Sequence, residues 1–382
     1  MQNKKVSLNQ AVFSIVLFNF GSSVIMGINT KTGQDTWLSI LLATLMAIPL
    51  FLMYARILKL FPEKGLFEIA ETLFGKIGGK AVSVLFIWYC IHLAALVLRN
   101  FSEFTEISAL PETPQLPIMI MMVLTTVYLA RSDMRAIGKW SVLAIFFVLF
   151  VVIITFVAAI NQMKFDNVLP ILEHSPAQIA ETTFQVFAFP YAETVVFLCL
   201  GSYFPKQNNH KTMLLRALAL TFIIFLLVFF RNLSLLGRKM MELSYFPSYV
   251  TVRIIEIGDF LARIEGSISS NLLLAGVTKI SVCILAAARG LNSLFKLEGH
   301  RPMVLPVGMV VLALCTVLYK NTMEMFIFVD YYAYYAFPFQ IVIPLVVWIA
   351  GEIHVHRQKN KQFPKPEANT LPGVQPSPQA KL

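Results

Sequence analysis

Two ionisable residues interrupt long apolar runs in this 382-residue chain. Glu193 stands in Phe187-Ala188-Phe189-Pro190-Tyr191-Ala192-Glu193-Thr194, and Lys279 stands midway along Ser267–Ala288. Each costs about 2.5–3.5 kcal/mol at the centre of a membrane helix, so such residues mark function or pair with each other. Three roles are open to Lys279: neutralising a ligand carboxylate, standing electrostatically where a coupling sodium ion would, or pairing with Glu193. Pro190, just before Glu193, removes a backbone donor and clashes with the carbonyl four residues back. Non-helical backbone at that depth persists only buried in protein or against a wet cavity. A second interruption, Phe20-Gly21-Ser22-Ser23 followed by Gly27, falls in the first apolar run. Freed N–H groups at a half-helix N-terminus suit a carboxylate and freed carbonyls suit an ammonium, so a zwitterionic amino acid fits both. Tyr89, Cys90 and His92 lie on a third run positioned to face the same cavity. His92 reads as an interhelical hydrogen-bonding residue or as a proton relay. No phosphate-binding loop, HExxH, GxSxG or water-lined carboxylate pair accompanies these residues, so no enzyme is expected.

The elements that must position these groups are membrane helices. The chain is 57% hydrophobic and 14% charged, against about 45–50% and about 25% in soluble domains. Its apolar residues fall in runs rather than alternating, which excludes a transmembrane barrel. The reading is an all-α polytopic membrane protein of ten spans: Gln10–Ile28, Trp37–Tyr54, Ala81–Leu98, Leu116–Ala130, Trp140–Ile160, Ile179–Tyr203, Met213–Phe230, Ser267–Ala288, Met303–Tyr319 and Tyr331–Ala350. Divided five plus five, the first and sixth spans correspond, and these are the two expected to be broken. Pro49, Gly276, Pro306, Pro338 and Pro344 interrupt other spans, so breakers alone do not single out the pair.

Most of the 31 Lys and Arg residues fall in loops on the side of the N-terminus, among them Lys4, Lys5, Arg56 to Lys80 and Arg357 to Lys381. The positive-inside bias therefore expects both termini in the cytoplasm. The net charge of +10 follows from that topology and implies no nucleic-acid partner. Residues 1–351 form the expected membrane domain, and the Pro-, Gln- and Lys-rich residues 352–382 an expected disordered cytoplasmic tail. The outer loop 231–266 carries an amphipathic pattern (Val252, Ile255, Ile257, Phe260, Leu261, Ile264) that would lay a helix across the outer mouth as a cap. Cys90, Cys199, Cys283 and Cys315 lie in apolar runs, where a thiol behaves as a small hydrophobe. No disulfide, metal site or other cofactor is expected, and His354 with His356 belongs to a solvated basic segment.

Further motifs are specific in their order and spacing. They are Gln34-Asp35-Thr36-Trp37-Leu38-Ser39, Phe61-Pro62-Glu63-Lys64 running on to Leu73-Phe74-Gly75-Lys76, Arg99-Asn100-Phe101-Ser102-Glu103 with Thr113-Pro114, Tyr191-Ala192-Glu193, Phe246-Pro247-Ser248-Tyr249, Arg263-Ile264-Glu265 and Asp330-Tyr331. With them the chain, over most of residues 5 to 350, resembles the B subunit of spore germinant receptors, within the amino acid, polyamine and organocation transporter superfamily. The resemblance implies an inverted repeat of the leucine-transporter type and a role in sensing a small amino acid or similar germinant. It also implies an A subunit, a lipoprotein C subunit and the inner membrane of an endospore. The chain departs from that family in the sixth span, where Phe189-Pro190 replaces a more usual glycine. The expected site lies between spans 1, 3, 6 and 8. Backbone around Phe20, Gly21, Ser22 and Ser23 takes the carboxylate, the stretch holding Phe187, Phe189, Pro190, Tyr191 and Glu193 takes the ammonium and side chain, and Tyr89 and Lys279 complete it. A proton-coupled permease acting alone, with Glu193 or His92 carrying the proton, is the alternative. A scaffold or ion-release conduit without a ligand is a third reading.

Overall fold

The structure, a computed structural model, describes residues 5–25, 31–108, 110–204, 209–255 and 265–362, and among them it is helical throughout. The helices are α1 (Leu8–Ile25), α2 (Thr36–Leu60), α3 (Leu66–Ser108), α4 (Gln115–Arg131), α5 (Met134–Ala159), α6 (Pro176–Ala188), α7 (Val196–Cys199), α8 (His210–Leu243), α9 (Pro247–Ile254), α10 (Glu265–Phe295), α11 (Arg301–Val317), α12 (Thr322–Phe337) and α13 (Ile343–Gln362). Each expected span falls on one of these helices or on a consecutive pair. Seven helical stretches among the described residues are long and apolar enough to cross a bilayer, and three apolar segments are shorter: Leu8–Gly21, Gln115–Arg131 and Arg301–Val317.

α10 is the central rod, packed against α1, α3, α4, α5 and α11. Small residues let it approach its neighbours: a Cβ on Gly276 would stand 2.5 Å from the Phe101 ring of α3, the close backbone contact that membrane bundles favour. On the opposite extreme, α5 turns Leu143, Phe146, Phe150 and Ile153 outward, an apolar stripe suited to lipid tails.

α6 shows why the sixth span breaks. Ser175 and Gln178 form a capping box at its start, with Pro176 in the first turn, so the helix begins on satisfied donors. It stops at Ala188 because Phe189 turns extended (φ −128°, ψ 106°) ahead of Pro190, which has no N–H to continue the ladder. The chain resumes as a 3₁₀ turn over Tyr191–Val195, and α7 follows. A second irregular stretch faces this break: between α12 and α13 the helix widens to a π-helix over Pro338–Val342.

Four expectations need correction. α1 runs as continuous helix through Phe20–Ser23 to Ile25, so no break occurs at Gly21. Gly21 lies instead in the α1–α10 interface, where a Cβ would make ordinary van der Waals contact with the Ala275 carbonyl oxygen at 3.5 Å and Lys279 Cδ at 3.7 Å. Gly27, the other half of that expectation, lies outside the described residues. Within 231–266, α8 extends to Leu243, kinked at Gly237 (φ 67°), and a short helix, α9, runs from Pro247 to Ile254, so of the expected pattern Val252 is helical and Ile255 extended. A proline at the first helical position explains that start, and Ile257, Phe260, Leu261 and Ile264 fall outside the described residues. Residues 352–362 are not tail but the end of α13, while 363–382 lie outside the described residues. Finally, part of the loop before the third span is helix: Leu66 opens α3, which turns at Gly75 (φ 71°) before the span itself.

Candidate ligand site

Glu193 and Lys279 meet. Both side chains are fully buried, and Lys279 Nζ donates to Glu193 Oε2. Of the three roles open to Lys279, its partner here is Glu193. The ammonium also stands 5.0 Å from the Phe18 ring centroid and 5.1 Å from that of Phe189, within the range at which a cation feels an aromatic face. The opposite carboxylate oxygen, Oε1, accepts from Tyr332 of α12 at 2.6 Å.

From Tyr332 the network continues in a fixed direction. Its only proton is committed to Glu193, so Tyr89 must donate across their 3.2 Å contact, and Tyr89 in turn accepts from Gln340 Nε2 at 3.0 Å. Gln340 also donates to the Ala188 carbonyl at 2.9 Å. Tyr54 of α2 donates to the Gln340 carbonyl at 2.6 Å, and its hydroxyl stands 3.4 Å from the Ala192 carbonyl. Thus the Ala188 carbonyl before the Pro190 break is capped from the π-helix, and the Ala192 carbonyl after it is approached by α2. Backbone acceptors expected to hold a ligand ammonium already have partners within the protein.

Open space lies beside this centre, not within it. A cavity of about 20 Å³, lined by Asn100, Phe189, Glu193 and Tyr332 among others, has room for no more than a water-sized guest. The larger space is a vestibule of about 470 Å³ between α1, α6, α8 and α12, a size typical of small-molecule sites. Ser23, Gln185, Phe189, Pro190 and Tyr332 line it, and Lys31 forms a 2.6 Å ion pair with Asp330 at its edge. Phe189 and Tyr332 line both cavities; their rings meet edge to face at 5.8 Å. They form the partition between vestibule and charge pair. Ser23 Oγ is buried, borders the vestibule and, among the described residues, has no hydrogen-bond partner.

The opposite end of the bundle is tied shut. Val6 N donates to the Tyr203 carbonyl (3.0 Å), Lys5 reaches Glu63 (2.8 Å) and the Ser202 carbonyl (3.2 Å), and Arg289 donates to Tyr203 OH (2.8 Å). On the vestibule side, Asp35 clasps the segment before α6. Its buried carboxylate accepts from the backbone N–H groups of Leu172, Glu173 and His174 and from His174 Nδ1, at 2.6–3.0 Å.

The expected site residues divide accordingly. Tyr89, Glu193 and Lys279 share the buried network; Ser23, Phe189 and Pro190 border the vestibule. Gly21 packs on α10 beside Lys279, Phe20 turns to a different small cavity, and Phe187 lies in the apolar core. Tyr191 accepts from Thr44 of α2 (2.9 Å) and packs on Phe225 of α8. The Ser22 side chain lies outside the described residues. His92 is held in an aromatic nest by Trp88, Phe328 and Tyr335, with Nδ1 unpartnered. Sequence reasoning missed Tyr54, Tyr332 and Gln340. The signal for Gln340 was present: an amide inside an apolar run, between Pro338 and Pro344.

Known proteins resemble this arrangement at two levels. By fold, the chain is similar to MhsT, whose crystal structure holds L-phenylalanine: the TM-score is 0.67 at 12% identity, covering 92% of this chain and 89% of that one. The architecture is therefore that of the leucine-transporter type. By sequence, it is 25% identical to spore germination protein KB of Bacillus subtilis (strain 168) over 377 residues, 96% of this chain and 99% of that protein. It is 22% identical to the putative spore germination protein YfkT of the same organism, over 72% of this chain and 75% of that one. The pattern described as "spore germination protein" matches residues 5–325. The chain belongs to that spore germination protein family.

Proposed function

We propose that this chain is the membrane subunit of a spore germinant receptor and that it recognises a small amino acid in the vestibule above Phe189 and Tyr332. The observation that carries this reading is the vestibule itself, about 470 Å³, floored by two aromatic rings that separate it from a buried charge pair. The faces of Phe189 and Tyr332 suit an ammonium, and the Ser23 hydroxyl, without a partner among the described residues, offers a donor to a carboxylate. Binding that moves either ring disturbs the Glu193 network, and the ligand favours one packing by its differential affinity. In this reading A and C subunits sense the change, the protein sits in the inner membrane of the spore, and both termini are cytoplasmic. No chemistry is performed on the ligand.

The test is equilibrium binding of labelled amino acids to the purified receptor complex carrying Ser23→Leu or Gly21→Leu. Leucine at 23 fills the vestibule, and at 21 it forces α1 from α10. Loss of about tenfold or more in affinity, equivalent to about 1.4 kcal/mol, is expected for Ser23→Leu. Unchanged affinity in both variants overturns the site. Uptake by the chain alone in proteoliposomes, collapsing with a pH gradient, would favour the permease reading instead.

A further inference from the structure

Among the described residues Arg231 is a buried cation without a counter-charge. Its side chain, on α8, is among the largest fully enclosed in the protein, at 2% exposure. Its partners are neutral: Nε and Nη2 donate to Asn232 Oδ1 (3.2 and 2.9 Å) and Nη1 donates to Thr155 Oγ1 (2.7 Å). Asn232 is held from behind by Ser248 of α9, to which its amide donates at 3.0 Å. A guanidinium has five N–H groups and stays protonated in proteins, so two donors and a full positive charge remain. Among the described residues no carboxylate lies within salt-bridge reach of it. The other arginines buried or bridged nearby behave differently: Arg99 pairs with Glu103, and Arg238 with Glu173 and Glu242.

Arg231 borders a small enclosed cavity of about 10 Å³ between α1, α5, α8 and α10, walled by Phe20, Val151, Val228 and Leu272 and bordered also by Asn271. That space accepts one water-sized guest. Asn271 Oδ1 is buried and, among the described residues, without a partner, while its amide donates to the Val148 carbonyl at 3.3 Å. Arg231 and Asn271 are the cavity's polar lining residues and the others are apolar, and of the two only Arg231 offers N–H donors to spare. A water molecule could satisfy the free N–H groups but not the charge, and an isolated ion in such surroundings is strongly disfavoured. An amino acid is too large for it.

We infer that this cavity holds a single small monovalent anion, of the halide class, paired with Arg231 and bracing α1, α5, α8 and α10 behind the vestibule. The anion is separate from the germinant and its binding does not depend on the reading above. It is tested on the purified full chain by thermal unfolding in sodium chloride, sodium bromide and sodium gluconate at equal ionic strength. Wild type is expected to gain roughly 5 °C in either halide at about a hundredfold excess over the dissociation constant, rising with the logarithm of halide concentration, and nothing in gluconate. Arg231→Gln should lose the response. Because that variant leaves other groups unpaired and risks misfolding, Asn271→Asp decides independently: its carboxylate supplies the missing charge from the cavity wall, so the variant should be as stable in gluconate as wild type is in chloride. Equal unfolding temperatures of wild type in halide and gluconate overturn the inference, as does a full halide response in Asn271→Asp.

Discussion

Replacing Lys279 by methionine tests the buried pair most directly. Both members are at zero exposure, so the substitution leaves the Glu193 carboxylate with Tyr332 as its remaining side-chain donor. Breaking one side of a buried pair costs about 3–5 kcal/mol, whereas replacing both sides by groups of similar shape is close to neutral. Glu193→Gln leaves the ammonium without a counter-charge, with a neutral amide oxygen and the Phe18 and Phe189 faces, the latter offsetting about 0.5–2 kcal/mol. Glu193→Gln with Lys279→Met should regain most of the loss, so the coupling energy should exceed either single loss, at about 5 kcal/mol or more. Thermal unfolding of the detergent-purified protein reads this. At roughly 2 °C per kcal/mol for a chain of this length, each single variant should fall by roughly 6–10 °C and the double variant by far less. A double variant no better than Lys279→Met alone would refute the pairing argument, and a Lys279→Met protein as stable as wild type would refute the burial argument beneath it.

Tyr332→Phe keeps the ring against Phe189 but removes the second donor to Glu193; an unfolding temperature lowered by the equivalent of about 1.5–3 kcal/mol is expected. Asp35→Ala strips the acceptor from three backbone N–H groups at Leu172, Glu173 and His174; hydrogen exchange of these amides should quicken by about tenfold or more, at about 1–3 kcal/mol for each group left unsatisfied. Gly65→Ala places a Cβ 2.6 Å from the Cys199 carbonyl oxygen, a backbone atom that cannot step aside; a loss of about 1–3 kcal/mol is expected, read as reduced folded yield. Gly266→Ala, with nothing within 4 Å of the added Cβ, serves as the control and should change little.

The spans and the Pro190 break were legible because each has a local cause: a long apolar run for the first, a missing N–H for the second. Glu193 and Lys279 were legible for the same reason, since a charge in an apolar run is conspicuous wherever it folds. What joins them was not. Tyr332 sits in Tyr331-Tyr332-Ala333-Tyr334-Tyr335, and nothing in that run says which ring faces Glu193; Tyr332 is buried while Tyr331 and Tyr334 are exposed. The Gly21 reading failed for a related reason. A glycine in a span signals either a break or a close neighbour, and only the position of Ala275 on α10 distinguishes the two.

A helix break in lipid creates acceptors, and the consequence depends on what reaches them first. Here Gln340 and Tyr54 reach Ala188 and Ala192, so the break is closed internally and linked through Tyr89 and Tyr332 to the charge pair. Moving a two-state protein from one per cent to ninety-nine per cent in its active packing takes about 5.5 kcal/mol of differential affinity. On the proposed function, a ligand in the vestibule must supply that difference through its own contacts with Phe189 and Tyr332, and each bond of the network that the shift breaks adds about 1 kcal/mol to the requirement. It need not enter the charge pair at all. On the proposed function, the vestibule is where affinity resides, and the network beneath it is where affinity becomes a change of shape.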